Sequence, residues 1–448
     1  MGLSAREVSL NILYDILINE AFSNISIKKY LDEENLIHME ENLVREIVYG
    51  VLENDIYIEY IISKASKIKL KKIHPKILII LKMGIYQLIF MDRIPESAAV
   101  NESVNLAKKH GHKGTISFVN GILRNIIRNK EEFIKIEKKN KADYISIKYS
   151  HPKWMVERWI KEFGEDFTED LCKKNNESPE LNIRVNTLKT NKEKLKNSLN
   201  NYGFKVRDSI YAFDSLIVEN PTKITEVLEF KQGHFFIQDE SSTLVGQIMN
   251  PNQGSTIIDI CSAPGGKSTH LGQIMNNKGK ILSMDIYQHK LRLVEENAER
   301  LGINIIQTAI SDGTKMEESL INVGDYVLVD APCSGLGLIR RKPEIKRNRK
   351  EEDIKELVNI QYKILSNAKE YLKVGGILIY STCTIEKDEN SNIINRFLEE
   401  NKNFRLVSIE NRLHNKENIE TLKDGYIQLF SHIHNTDGFY IAKLTKER

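Results

Sequence analysis

Apolar residues recur at helical spacing through the first third of the chain. Val8, Ile12, Leu13, Ile16 and Leu17 lie on one helical face, as do Ile77, Leu78, Leu81, Ile85 and Leu88. Strand-like alternation is scarce there and proline occurs only at Pro75 and Pro95, so residues 1–141 are expected to form an all-α domain. Beyond that the pattern is mixed. A helical stretch carrying Trp154, Val156 and Trp159 runs into residues 181–189, which alternate as a strand does. Residues 235–242 then read as a strand followed by a helix capped at Asp239. Residues 142–250 are expected to be a small α+β connector. From Ser255 onwards the runs TIIDI, KILSMDI, NIIQTAI, DYVLVDA and GILIYST alternate with helical stretches such as 290–301 and 354–372, the latter closed by Gly375 and Gly376. This rhythm predicts an α/β, Rossmann-like domain over 251–448. Its sheet is doubly wound and mostly parallel, GFYIAKL is its last strand, and its ligand sits at the carboxyl ends of the strands.

Composition narrows the class. With 448 residues, 41% of them hydrophobic, the chain can build real cores, which excludes a disordered or collagen-like polypeptide. The first twenty residues are interrupted by Arg6, Glu7 and Asp15, so no signal peptide is expected. The most apolar run, 77–91, is short and carries Lys82, so no membrane span is expected either. Four cysteines form no disulfide framework and no CxxC pair. That predicts a reducing, cytoplasmic setting and no metal. The net charge of +3 hides an uneven distribution. Residues 1–60 hold four basic and twelve acidic side chains, whereas 61–130 hold fourteen basic and three acidic. Lys64, Lys67, Lys69, Lys71, Lys72, Lys76, Lys108, Lys109, Lys113, Arg124 and Arg128 belong to that second stretch, which suits a nucleic-acid phosphate backbone.

The candidate chemistry lies at the strand ends of the last domain. After TIIDI comes CSAPGGKSTHL, a turn in which Gly265 and Gly266 let a ligand approach the backbone at the start of a helix. Asp285 ends the next strand, placed to accept ribose hydroxyls, and Asp312 and Asp330 end the two after it. There is no GxGxxG, and GGKS lacks the earlier glycine of a phosphate-binding loop. An adenosyl ligand without a pyrophosphate fits better, and S-adenosylmethionine is the expected cofactor. Cys333 in DAPCSG and Cys383 in YSTCTIEKDEN project from neighbouring strand ends into the same crevice, whereas Cys172 and Cys261 read as small buried hydrophobes. Two thiols beside an acid suit methylation at carbon-5 of a pyrimidine. A thiolate adds to carbon-6, an acid such as Asp330 with a retained proton neutralises N3, and a second basic group helps remove the carbon-5 proton. A helix beginning near Glu386, with Lys267 and Lys387, would favour the thiolate. Arg340, Arg341, Lys342, Lys346 and Arg347 follow Cys333 closely and are expected to grip the phosphates flanking an unstacked or flipped base.

Together DICSAPGGKSTHL, DAPCSG and YSTCTIEKDEN resemble motifs I, IV and VI of the RNA cytosine-5 methyltransferases, and QDESS resembles the segment that precedes their cofactor domain. LVREIVYGVLEN, ILKMGIYQLIFMDRIPESAAVNESVNLAKKHG and FVNGILRNIIR resemble the NusB-like RNA-binding helical domain. The combination is similar to the bacterial RsmB (Sun, Fmu) family of small-subunit ribosomal RNA methyltransferases. That resemblance implies a specific cytosine of 16S rRNA as substrate, Cys383 as nucleophile and Cys333 as the residue assisting product release. It places cofactor contacts on Cys261, Ser262, Ala263, Pro264, Gly265, Gly266, Lys267, Asp285, Asp312 and Asp330. A monomer is expected. Two other readings remain: an RNA-binding antitermination-like factor without catalysis, and a cytosine-5 enzyme acting on tRNA.

Overall fold

The structure, a computed structural model, describes residues 3–34, 36–137, 140–219, 221–413 and 415–448. The chain folds into two compact units. The first is Met1–Glu177 together with Ile339–Arg349, and the second is Ser178–Leu338 with Lys350–Arg448. The segment expected as the connector, 142–250, spans the point at which the chain passes from one unit to the other. Its helices Lys141–Lys148, Lys153–Phe163 and Glu165–Lys174 belong to the first unit and its strands to the second. The segment after Cys333 also leaves the second unit for the first and then returns.

The first unit is helical, as the periodicity predicts. Its opening helix, Ala5–Leu17, starts with a reciprocal cap between Ser4 and Glu7 and buries Val8, Ile12, Leu13, Ile16 and Leu17. Helix Pro75–Phe90 is apolar on nearly every side and sits in the middle of the core. Its Lys82 is only 2% exposed and is held by the carboxylates of Asp55 and Glu59, a pairing that a buried ammonium requires. Gly50 allows the Tyr86 ring to lie against the backbone, since a β-carbon there would fall 1.9 Å from it. The Tyr86 hydroxyl then donates to Glu46 at 2.9 Å.

The second unit holds two sheets. The smaller contains β1 (Leu181–Val185), β2 (Lys205–Asp208), β3 (Ser215–Glu219) and β4 (Phe235–Ile237) in the antiparallel order β2-β3-β1-β4. The larger contains β5 (Thr256–Asp259), β6 (Lys280–Asp285), β7 (Ile306–Ile310), β8 (Gly324–Asp330), β9 (Leu372–Thr382), β10 (Phe404–Leu406), β11 (Tyr426–Leu429) and β12 (Phe439–Lys446). Its order is β10-β12-β9-β8-β5-β6-β7, with β11 paired to β12. β5 to β9 are parallel and β12 runs antiparallel beside β9, so the expected α/β architecture holds. Neighbouring residues of each strand enter different cores. Ile257, Leu328, Ile379 and Ile441 join one cluster while Ile258, Val327, Leu378 and Tyr440 join another. Both faces are covered, which is why these strands read as continuous apolar runs.

One local expectation is corrected. Gly375 and Gly376 do not close a helix: the helix Glu351–Tyr371 passes straight into β9, and both glycines lie inside that strand. Gly375, with φ of +80°, takes up slack between the pair Gly324/Leu372 and the pair Tyr326/Ile377.

Candidate active site

Because β5, β6, β7 and β8 are parallel, their carboxyl ends meet at one edge of the sheet. From β5 the chain turns through Ser262 and Pro264 into helix Gly266–Ile274, whose first turn is entered through Gly265 at φ +95°. Ser262 donates through its N–H and its hydroxyl to Met284 O at 2.8 and 3.0 Å. Asn297 donates to Pro264 O at 3.0 Å. Arg184 from β1 donates to Gly266 O, to Gln238 and, at 3.1 Å, to Thr269. The loop that carries the expected cofactor contacts is therefore held from β1, β6 and the helix Gln288–Leu301. Burial brings the Arg184 guanidinium down to about 9. The sequence reading missed Arg184 because it sits in a strand whose alternation conveys pairing and not which charge is enclosed.

Asp259, also unanticipated, ends β5 beneath this loop. It is fully buried, and Ser268 donates to its Oδ2 while Ser283 donates to Ser268. Burial pushes its carboxyl up to about 7. A carboxyl whose folded value is raised above its ordinary 3.8 favours folding most at low pH, and that contribution is lost as pH rises towards 7. Asp259→Asn, which can still accept from Ser268, is expected to flatten the fall in stability between pH 5 and about pH 7.5. Thermal unfolding of both proteins across that window checks it; parallel curves would refute the assignment.

Asp285 ends β6 and spends one carboxylate oxygen on the Tyr287 N–H at 3.0 Å, leaving the other for a ligand. Asp312 accepts from the N–H and hydroxyl of Thr314 and pairs with Lys315 at 3.4 Å. The Thr314 hydrogen bonds hold its carboxyl below the usual range. Asp330 ends β8 and accepts from Lys267 Nζ at 2.6 Å and Ser381 Oγ at 2.7 Å. Burial would lower Lys267, but Asp330 against it more than restores the ammonium. Both Asp330 oxygens thus accept, which sets the Lys267 ammonium directly against the acid expected to act at N3. Burial first, and then Asp259, Asp330 and Asp285, push the Cys261 thiol well up, so these carboxylates surround one spot. A Gly-lined turn with one open carboxylate, Asp285, beside it fits an adenosyl group with an attached amino acid.

Cys333 follows β8 and Cys383 follows β9, and their sulfurs lie 3.2 Å apart, neither fully buried. The hydrogen bond with Cys383, and then burial, push the Cys333 thiol well above its ordinary value. The regular helix after Cys383 starts at Ser391, not near Glu386; only the short turn Lys387–Glu389 intervenes. Cys172 is buried in the helix Glu165–Lys174 of the first unit, with its thiol raised by burial. Among the described residues no His, Cys, Asp or Glu cluster is built to hold a metal ion, and no helix is long and apolar enough to cross a membrane.

The basic segment after Cys333 is built into the helical unit as Ile339–Arg349, which encloses Arg340 and Lys346 rather than presenting them to a phosphate. Ile339 and Ile345 are buried there, and the Glu344 carboxylate accepts from the N–H and hydroxyl of Ser23 at 3.0 Å. Lys346 is 4% exposed and donates to Glu53 O at 2.8 Å and Asn176 Oδ1 at 3.0 Å. Arg347 pairs with Asp55 at 3.0 Å, Lys342 lies over the Phe22 ring, and Arg340 is buried. Arg341 is half-buried. Burial brings Lys346 down to about 8 and raises Glu53 to about 7. Lys346→Met is expected to cost about 2 kcal/mol of stability by orphaning two buried acceptors. It should leave the salt dependence of RNA binding unchanged, whereas loss of a phosphate contact would lower that slope by about one. Thermal unfolding and a salt titration of RNA affinity separate the two roles.

Comparison with known proteins places the chain in a family. Residues 246–445 match the family model described as 16S rRNA methyltransferase RsmB/F, residues 3–128 match the NusB family, and residues 151–225 match the ferredoxin-like domain of RsmF/B-like methyltransferases. The chain is 37% identical over 447 residues to the probable ribosomal RNA small subunit methyltransferase B of Bacillus subtilis (strain 168), covering 99% of each. It is 31% identical to ribosomal RNA small subunit methyltransferase B of Photorhabdus laumondii, covering 92% of each. Among solved structures, that of PH0851 covers 100% of both chains with a TM-score of 0.83 and 27% identity. That of NSun6 from Pyrococcus horikoshii with SFG covers 66% of this chain and 98% of its own, with a TM-score of 0.60 and 25% identity.

Proposed function

The chain belongs to the ribosomal RNA small subunit methyltransferase B family and is an S-adenosylmethionine-dependent rRNA methyltransferase, and from that premise we propose that it methylates carbon-5 of one cytosine in 16S rRNA through a covalent Cys383 adduct. The observation that carries this reading is the pair of sulfurs 3.2 Å apart at the ends of β8 and β9. The turn through Gly265 and Gly266, with Asp285, would hold S-adenosylmethionine, which when bound supplies an electrophilic methyl group.

The chain's own residues do the rest. The Cys383 thiolate adds to carbon-6 of the cytosine, and the Lys267–Asp330 pair delivers a proton or a hydrogen bond to N3 as negative charge builds there. Before addition the Cys333 and Cys383 sulfurs lie within hydrogen-bond reach of one another. Once the Cys383 sulfur is bonded to carbon, that partner no longer carries charge, and Cys333 can give up its own proton to solvent. Its thiolate then takes the carbon-5 proton, the electrons re-form the 5,6 double bond, and Cys383 leaves as thiolate. The exposed lysines and arginines between residues 64 and 128 supply phosphate contacts on the helical unit. Free thiols and an rRNA substrate are consistent with a cytoplasmic enzyme acting as a monomer. Incubation with tritiated methyl donor and unmodified 16S rRNA or tRNA tests the reading. Label on carbon-5 of a 16S cytosine is expected; label on tRNA alone, or none, would overturn it.

A further inference from the structure

Glu389 lies seven residues beyond β9, wholly buried, and the chemistry above assigns it nothing. Its carboxylate accepts the Ser334 N–H at 2.8 Å, the Ser334 hydroxyl and the Gln361 amide at 2.9 Å. The same Gln361 amide donates to Pro332 O at 2.9 Å. The residues on either side of Cys333 are therefore both tied to this one carboxylate, Ser334 directly and Pro332 through Gln361. With its own proton committed to Glu389, the Ser334 oxygen is left to accept from the Thr384 hydroxyl, 2.8 Å away, which joins the residues that follow the two cysteines. The residues flanking Cys383 have a separate anchor. Thr382 donates to Asn390, and the Asn390 amide donates to Thr384 O at 3.0 Å and Gln428 at 2.8 Å. A buried carboxyl group that accepts from three donors is among the stronger restraints available to a loop.

We infer that Glu389 is a positioning residue for the second half of the reaction, holding the Cys333 loop at the distance from Cys383 that proton removal and release need. The assignment rests on the covalent reading of the site. Its consequence is selective. Loss of the carboxylate loosens the Cys333 side and leaves Cys383 on its Asn390 anchor, so the adduct still forms but resolves slowly.

The test uses the full-length protein with unmodified 16S rRNA and S-adenosylmethionine, reading adduct on a denaturing gel alongside steady-state rates. Glu389→Gln is expected to form adduct at the wild-type rate with enzyme in excess, and to retain it about tenfold longer. Its kcat should fall about tenfold, with KM for RNA within about twofold. Ser334→Ala, which removes one donor to Glu389 and keeps Gln361, should shift adduct lifetime in the same direction by less. Wild-type adduct lifetime in both variants would overturn the assignment, as would a Glu389→Gln protein that binds S-adenosylmethionine normally but forms no adduct. If Glu389→Gln does not fold, Ser334→Ala decides alone, and an unchanged lifetime in it overturns the assignment. Failure of the covalent reading looks different: the wild type would form no adduct, and Cys383→Ala would remain active.

Discussion

Cys383→Ala is expected to abolish methyl transfer and covalent attachment together, lowering the single-turnover rate on the order of 10⁴-fold or more. Carbon-5 of cytosine is too weak a nucleophile to react until carbon-6 is saturated, so no partial route remains. Cys333 does not substitute. Its sulfur is displaced by 3.2 Å from that of Cys383 and its loop is fixed by Ser334 and Gly337, whose N–H donates to Cys383 O at 3.1 Å. A misplacement of about 1 Å already costs roughly a hundredfold. Cys333→Ser gives the opposite phenotype. The nucleophile is intact, but a hydroxyl does not ionise to take up the carbon-5 proton, so protein–RNA adduct accumulates and turnover stops near one equivalent. Denaturing gels of both variants with unmodified 16S rRNA read the two outcomes side by side. Adduct in the Cys383 variant and none in the Cys333 variant would reverse the roles.

Lys267→Met carries the next largest effect, a fall in kcat of about 10²- to 10³-fold with little change in KM for RNA. Lys267 reaches Asp330 at 2.6 Å and lies over the ring of Phe439. In the enclosed space between β5 and β9 its ammonium is the positive charge held against Asp330. On the proposed mechanism, removing it takes away the proton donor for N3 and leaves Asp330 next to buried Asp259 with Ser381 as its donor. Asp330→Asn should cost a similar amount, because it releases the same ammonium from position. The double variant should be little worse than either single one, since residues that act as a unit are not additive. Rate measurements on the four proteins form the cycle, and strictly additive losses would show that the two side chains act separately.

Much of this site is legible in the chain because its parts sit where periodicity ends. Each of Asp285, Asp330 and Cys383 closes or follows an apolar run, and an α/β alternation brings such ends to one edge whatever the details of packing. The first unit is legible for a similar reason, since 3.6-residue spacing is a property of each helix alone. What pattern does not convey is which polar groups are enclosed together. Arg184, Asp259, Gln361 and Glu389 look like ordinary strand or helix residues, and their roles arise from partners distant in sequence: Gly266 for Arg184, Pro332 for Gln361, Ser334 for Glu389. The basic run after Cys333 likewise hides which of its cations are enclosed. Seven cations in one short stretch suit RNA phosphates on charge alone, yet Lys346 and Arg347 answer to Glu53 and Asp55, which precede them by nearly three hundred residues. The short strands β10 and β11 span three and four residues, too few for alternation to register.

The path of Ile339–Arg349 limits how this protein can be taken apart. The polypeptide passes between the two units after Glu177, after Leu338 and after Arg349, so a gene cut at residue 177 does not yield two self-sufficient fragments. The amino-terminal piece would lack the strand of chain that covers Ser23 and receives Asp55, leaving an open seam in its core. The carboxyl-terminal piece would carry Ile339, Ile345 and Lys346 stripped of their surroundings, an adhesive patch placed a few residues from Cys333. A gene fusion, a domain graft or a truncation series that treats the methyltransferase half as a cassette has to excise or rebuild those eleven residues first.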